Sequence, residues 1–267
     1  MNDRVRMERD GPVVQVTLTR GDRHNGMDLP MLDGVRAAAR RLRRDPDVRT
    51  VILAGEGPSF CAGLDVKAVL GRPGIRLMAL AALISPVRNR FQDWSLGWRD
   101  VPAPVIAAIH GNCFGAGFQL ALGADIRIAT PGAQISVMEA KWGLVPDMGG
   151  TVLLRELVPI DIAKELTMTG RTLTGMEAHA LGLVTHISPD PVAHARALAA
   201  EIGARSPDSV AASKFLLQEA WSRGTFRALA AERKWQRRVI GRRNQRIAVR
   251  RNLEQADVPF EPRRIRS

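Results

Sequence analysis

Two acidic residues, Glu139 and Asp147, stand in one glycine- and proline-bent segment, Ser136-Val-Met-Glu139-Ala-Lys-Trp-Gly143-Leu-Val-Pro146-Asp147-Met-Gly149-Gly150-Thr151. Trp142, Leu144 and Met148 surround them in sequence. A carboxyl group held against apolar side chains resists ionisation, and two such groups can serve as general acid and general base. Each has a plainer reading as well. Glu139 suits the first turn of a helix, and Asp147 suits the N-cap of a helix Met148–Leu157.

Two other segments end strands in small residues: Val51-Ile-Leu-Ala-Gly-Glu-Gly-Pro-Ser-Phe-Cys-Ala-Gly-Leu-Asp65 and Val105-Ile-Ala-Ala-Ile-His-Gly-Asn-Cys-Phe-Gly-Ala-Gly117. Small residues let backbone N–H groups approach a ligand, and the second segment opens a helix, where partial positive charge collects. Together they could aim two donors at one developing oxyanion. Taken alone, each reads better as a tight strand-to-helix turn. Other signatures fail. Leu120 occupies the third-glycine position of a dinucleotide fingerprint, and there is no phosphate loop, no His-Glu-x-x-His and no Gly-x-Ser-x-Gly. His24, His110, His179, His186 and His194 show no metal-ligand spacing, so no metal is expected.

The elements that must carry these segments are legible by period. Pro12–Thr19 alternates Val14, Val16 and Leu18 against polar residues, as a half-buried strand does. Leu29–Arg44 places Leu32, Val35, Ala39 and Leu42 on one helical face before Asp45-Pro46 breaks it. Thr50–Ala54, Pro104–Ile109 and Ile126–Ala129 read as further strands, and alternation with helices indicates an α/β architecture. After Pro207 the pattern becomes helical, in Val210–Trp221 and Phe226–Ile240, with an irregular tail Ala256–Ser267. The chain divides at about residue 205, into a core of residues 1–205 and a helical region of residues 206–267.

Composition bounds the classes. The 267 residues are 45% hydrophobic and 25% charged, a globular mix that excludes a disordered or disulfide-scaffold chain. Leu77–Ile84 is far short of the roughly 20 apolar residues of a membrane span. Met1-Asn2-Asp3-Arg4 leads into no apolar signal segment, and Cys61 and Cys113 form no framework; the cytoplasm is the expected compartment. The net charge of +12 comes from 34 arginines and five lysines against 27 acids. Such an excess favours anionic partners. Nucleic acid is disfavoured, because the arginines are spread along the chain, aromatics are 4% and tyrosine is absent.

In this order, the three segments resemble the crotonase (enoyl-CoA hydratase/isomerase) superfamily. The likeness lies in Phe60-Cys-Ala-Gly-Leu-Asp65, His110-Gly111, Gly115-Ala-Gly117-Phe-Gln-Leu120, Ala124-Asp125-Ile126, Glu139 with Gly143-Leu-Val-Pro146 and Gly149-Gly150-Thr151, Leu166–Arg171, and Glu177-Ala178 with Gly182-Leu-Val184. It runs from about Pro12 to Phe260. The resemblance implies a crotonase-like spiral of β-β-α units (the ClpP/crotonase type) and C-terminal helices that build a homotrimer or hexamer. The substrate it implies is an acyl-CoA thioester, with coenzyme A entering as part of that substrate and no separate cofactor.

Carried over by position, the oxyanion-hole donors are the amides of Leu64 and Ala116; the family usually has glycine at the latter, and an N–H survives the change. Ala62, Asp65, Val66, Lys67, Arg20, Arg23 and Lys214 fall in segments that bind the acyl-CoA, its phosphates meeting the basic ones. The apolar stretch Ile75–Phe91 is placed to wall the acyl pocket. Glu139 matches one of two catalytic glutamates of the hydratases, and Gln119 stands where the second would be. An amide positions water without accepting its proton. Asp147 matches an aspartate of the dienoyl-CoA isomerases, which usually carry an aspartate at the position of Gln119. The expected reaction is therefore a double-bond shift in an enoyl- or dienoyl-CoA: Asp147 removes a proton near C2, Glu139 returns one, and Gln119 orients substrate or water. The alternative is hydration of 2-enoyl-CoA in fatty-acid degradation.

Overall fold

A computed structural model describes residues 3–70, 74–255 and 257–267. The chain opens with β1 (Val5–Asp10) and β2 (Val13–Leu18), an antiparallel pair joined around Gly11. Helix α1 (Leu29–Arg44) follows, its N-terminus capped by the Asp28 side chain on the Met31 N–H. It buries Met31, Leu32, Val35, Ala38, Ala39 and Leu42, one apolar stripe against the sheet. Then come β3 (Thr50–Gly55), α2 (Val66–Leu70), α3 (Ile75–Leu83), α4 (Asp93–Leu96), β4 (Val105–Ile109) and β5 (Asn112–Phe114). Helix α5 (Ala116–Leu122), β6 (Ile126–Ala129), β7 (Gln134–Ser136) and a 3-10 turn Glu139–Trp142 complete the central part. The remaining elements are α6 (Gly150–Leu154), α7 (Ile160–Thr169), β8 (Leu173–Thr174), α8 (Gly175–Ala180) and β9 (His186–Ile187), and after them α9 (Pro191–Gly203), α10 (Pro207–Ala220), α11 (Thr225–Val239) and α12 (Arg243–Leu253).

One sheet has the order β1-β2-β3-β4-β6-β9, parallel beyond the first pair, and a second has the order β5-β7-β8. β3 and β4 lie in the middle of the larger sheet and are apolar almost throughout, as strands covered on both faces must be. Helix α9 closes one face through Ala195 on Ile52, Ile106, Ala108 and Ile128. The main core fills the other.

The segments leaving β3 and β4 are drawn together by a parallel bridge, Cys61 opposite Cys113. The Cys61 N–H donates to Asn112 O at 3.0 Å, and the Phe114 N–H donates back to Cys61 O at 3.0 Å. Helix α5 then starts hard against this pairing. A Cβ at Gly117 would sit 2.2 Å from the Cys61 carbonyl oxygen, so only glycine allows the approach.

Helices α10 and α11, with Ile265 of the tail, form their own small core, in which Phe215 stacks on Trp235 with ring centroids 5.4 Å apart. The C-terminal tail folds back onto it. Asp208 accepts from the N–H groups of Arg264 and Ile265, and the Arg263 N–H donates to Pro46 O. No helix among the described residues is long and apolar enough to cross a membrane.

Candidate active site

The site begins with two peptide units whose carbonyls are already engaged. Gly63 O accepts from the Met27 N–H at 2.7 Å, and Gly115 O accepts from the Gln119 N–H at 2.9 Å. In a trans peptide the N–H points opposite the C=O. The Leu64 and Ala116 N–H groups therefore face away from those anchors, and neither has an acceptor among the described residues. The two units are neighbours: a Cβ on Gly63, whose φ is +94°, would lie 3.7 Å from the Ala116 nitrogen. Ala116 is also the first residue of α5, so its free N–H belongs to the positive end of the helix.

Glu139 borders this hole. Its Oε1 would be 3.4 Å from a Cβ on Gly115. The same oxygen accepts from Gln119 Nε2 at 2.6 Å, while Oε2 is buried without a partner. Burial is the main cause that raises the Glu139 carboxyl above its ordinary range, the charge of nearby Asp147 adds to it, and the Gln119 hydrogen bond opposes it. An unsatisfied buried carboxylate oxygen is a costly feature in a fold and is common at reactive sites.

Asp147 is raised as well, again chiefly by desolvation. It is exposed where Glu139 is half-buried, so water screens its charge. The structure corrects the capping alternative for this residue. α6 begins at Gly150, after Gly149 in a left-handed conformation, and no side chain caps it. Asp147 thus lies ahead of the helix, its carboxylate held by no other residue among those described and only by its own backbone N–H, near enough to Glu139 for their charges to interact.

Gln119 differs from expectation too. It is buried, its Oε1 accepts from the Met148 N–H at 3.0 Å and the Gly150 N–H at 2.9 Å, and its Nε2 faces Glu139. Its oxygen and one amide hydrogen are taken by protein, which leaves a single Nε2 hydrogen for substrate or water. Gln119 fastens the turn that carries Asp147 to the carboxyl group of Glu139.

The residues expected to hold the acyl-CoA divide. Ala62 lies beside the hole and donates its N–H to His24 O at 2.9 Å, Val66 opens α2, and Lys67 is exposed with no ion pair among the described residues. Arg23 is solvent-exposed and faces Asp22 at 3.8 Å. Asp65 is a brace: it accepts from the Ala68 N–H at 3.0 Å and pairs with Arg20 at 2.8 Å, and these contacts hold its carboxyl below the ordinary value. Arg20 is committed to the same brace through Gly26 O, so its charge is spoken for within the fold.

Lys214 is corrected outright. Its Nζ lies 2.7 Å from Asp125 Oδ2 and donates to Trp98 O and Ala103 O at 3.1 Å each. These partners satisfy all three ammonium hydrogens at the far end of α5, a seven-residue helix roughly 10 Å long, from the free Ala116 N–H. In this chain Lys214 joins α10 to the core. Lys214→Ala leaves Asp125 without its buried partner and is expected to cost about 3 kcal/mol of stability, read as a lower Tm, with KM for a CoA thioester unchanged. A raised KM at an unchanged Tm would make it a substrate contact instead.

Two functional supports escaped the sequence reading. Trp94 Nε1 donates to Ala116 O at 2.7 Å, and Ser95 Oγ donates to Met148 O. Both residues are fully buried on the four-residue helix α4. The one available signal was the pair itself: a tryptophan beside a serine, between Phe91 and Trp98, each needing a partner when buried.

The sequence profile of the enoyl-CoA hydratase/isomerase family matches residues 8–263. The chain belongs to that family. Enoyl-CoA hydratase EchA19 of Mycobacterium tuberculosis is 35% identical over 217 residues, 77% of each chain. Carnitinyl-CoA dehydratase of Salmonella arizonae is 35% identical over 217 residues, 80% of each chain. Among solved structures, an enoyl-CoA hydratase from Bacillus anthracis superposes with a TM-score of 0.88 at 26% identity, covering 96% of this chain and 98% of that one. The fold is therefore that of the crotonases, an α/β architecture, and the chain is an acyl-CoA enzyme of the enoyl-CoA hydratase/isomerase family.

Proposed function

We propose that this enzyme moves a double bond along an enoyl- or dienoyl-CoA. The observation that carries the reading is the state of position 119. A water nucleophile would have to be held and deprotonated, and the group at 119 is an amide with both ends bound by protein. Beside the hole stands Glu139, enclosed, and close enough to interact with its charge is Asp147, open to solvent. Groups whose environments separate their proton affinities divide naturally into acid and base.

In this reading the thioester oxygen rests on the Leu64 and Ala116 N–H groups. Asp147 takes a proton from C2, and the electron pair of that C–H bond enters the thioester as an enolate. Glu139 then gives its proton to the far end of the conjugated system, the enolate pair returns, and the double bond has shifted. Asp147 passes its proton to solvent and Glu139 regains one, so the cycle consumes nothing and needs no cofactor beyond the CoA already on the substrate. We assign the CoA portion to Ala62 and Val66, on either side of Gly63-Leu64 in sequence, and to the exposed cations Lys67 and Arg23. The exposed Leu77, Leu80 and Leu83 of α3 offer an apolar wall for the acyl chain.

The names of the relatives favour a second reading, hydration of 2-enoyl-CoA, in which Glu139 activates water and Asp147 is its partner. The test supplies 3-enoyl-, 3,5-dienoyl- and 2-enoyl-CoA and follows the ultraviolet absorbance of each conjugated system. Double-bond migration in the first two, with slow water addition to the third, is the expected result. Fast hydration without migration would replace the isomerase with the hydratase. We also propose that residues 206–267 assemble the protein as a trimer or hexamer, since Trp221, Phe226 and Leu253 stand exposed on them. Light scattering would measure the mass.

A further inference from the structure

Gln119 has one orientation open to it. Its oxygen lies under two backbone donors, Met148 N–H at 3.0 Å and Gly150 N–H at 2.9 Å. Turning the amide over would set its NH2 group against both donors and leave three hydrogen-bonding groups unpaired in a buried place. The nitrogen must therefore face Glu139, and it does so at 2.6 Å from Oε1. An N–H pointing at Oε1 makes that oxygen an acceptor. A proton carried by Glu139 has to sit on the other oxygen, Oε2, which is buried and has no partner among the described residues.

We infer that Gln119 selects which oxygen of Glu139 carries the transferable proton, fixing Oε1 as an acceptor and leaving Oε2 as the reacting atom. Gln119 is thus a positioning residue. The same side chain sets the turn that bears Asp147, because the donors on its oxygen belong to the residues on either side of Gly149. The inference rests on the reading of Glu139 as a proton carrier. It explains why an amide suits position 119. A carboxylate there would keep one oxygen under the two backbone donors and bring the other to within hydrogen-bond distance of Glu139 Oε1. A single proton would then be shared along that line, on the wrong side of Glu139.

The experiment titrates Glu139 directly, by carboxyl carbon NMR of protein labelled in its glutamates, with the Glu139 resonance assigned by its loss in Glu139→Gln. Wild type is compared with Gln119→Leu and Gln119→Glu. In Gln119→Leu the ionised Glu139 loses a donor, so it titrates at higher pH than in wild type. In Gln119→Glu it titrates higher still. Both variants are expected to lower kcat for double-bond migration by about 10²-fold, the effect of misplacing a reacting group, while KM changes far less. Gln119→Glu retains an oxygen for Met148 and Gly150, so it decides the matter if the leucine variant does not fold. A Glu139 titration unmoved in either folded variant, or wild-type kcat in Gln119→Glu, overturns the inference. If the wild-type protein only adds water, the isomerase reading fails while the titration still judges Gln119.

Discussion

Replacing Ala116 with proline lowers kcat for a CoA thioester by on the order of 10²–10³-fold, about 2.7–4 kcal/mol of transition-state stabilisation, while the fold survives. The size follows from what an N–H donor does when aimed at developing charge in a preorganised site. Survival follows from position. Ala116 is the first residue of α5, and proline at the start of a helix loses only an N–H that the helix never used. The preceding residue, Gly115, has φ 48° and ψ −116° and no Cβ, so it escapes the clash that usually constrains a residue before proline. The measurement is steady-state kinetics with circular dichroism as the folding control. A folded variant within about threefold of the wild-type kcat would show that this N–H holds no charge, against the expectation for a lost donor.

Glu139→Gln removes the enclosed proton carrier and is expected to lower kcat by about 10²–10⁴-fold. The substitution preserves shape, since the new amide can present its oxygen to Gln119 Nε2. It also alters stability in the opposite direction. Burial raises the Glu139 carboxyl above its ordinary value of 4.5. The folded state then binds more protons than the unfolded state at pH values above 4.5, so this group's contribution is full below that value and is lost as pH rises through the folded value. A glutamine has nothing to ionise. The variant should melt above wild type at neutral pH, and the gap should close on acidification, as Tm measured between about pH 4 and 8 would reveal. An unchanged rate would remove Glu139 from the chemistry. A lower Tm at neutral pH would show that its ionised form is stabilised by the fold.

Such a trade of stability for reactivity is hard to read in sequence, and the contrast between elements says why. Helix α1 runs from Leu29 to Arg44 in structure as its apolar spacing and its Asp45-Pro46 stop require, and β6 likewise spans Ile126–Ala129. In both, local pattern and tertiary burial agree. β1 gave no strand signal because Val-Arg-Met-Glu-Arg-Asp pairs at the sheet edge with only Val5 buried. Helix α12 is dense in arginine and buries only Asn244 and Ile247, too little for an apolar period to emerge. At the site, glycine-flanked turns marked where backbone amides could gather, and that much was visible. The partners of Gln119 lie 20, 29 and 31 residues away, and no local rule connects them. Lys214 failed for a related reason: its position on a C-terminal helix matched a family feature, while its cage of Asp125 and two carbonyls exists only after folding.

Helix α4 gives this architecture a common mooring. Through neighbouring residues it holds the backbone at Ala116 and the backbone at Met148, so the groups that would calm negative charge and those that would shuttle protons are tethered to the same four-residue piece. A substitution that shifts Trp94 and Ser95 disturbs both halves together. Exchange of the side chain at 147, which no contact of α4 holds, leaves the mooring intact and alters the reaction alone. A scaffold built in this way can acquire a new chemistry one residue at a time.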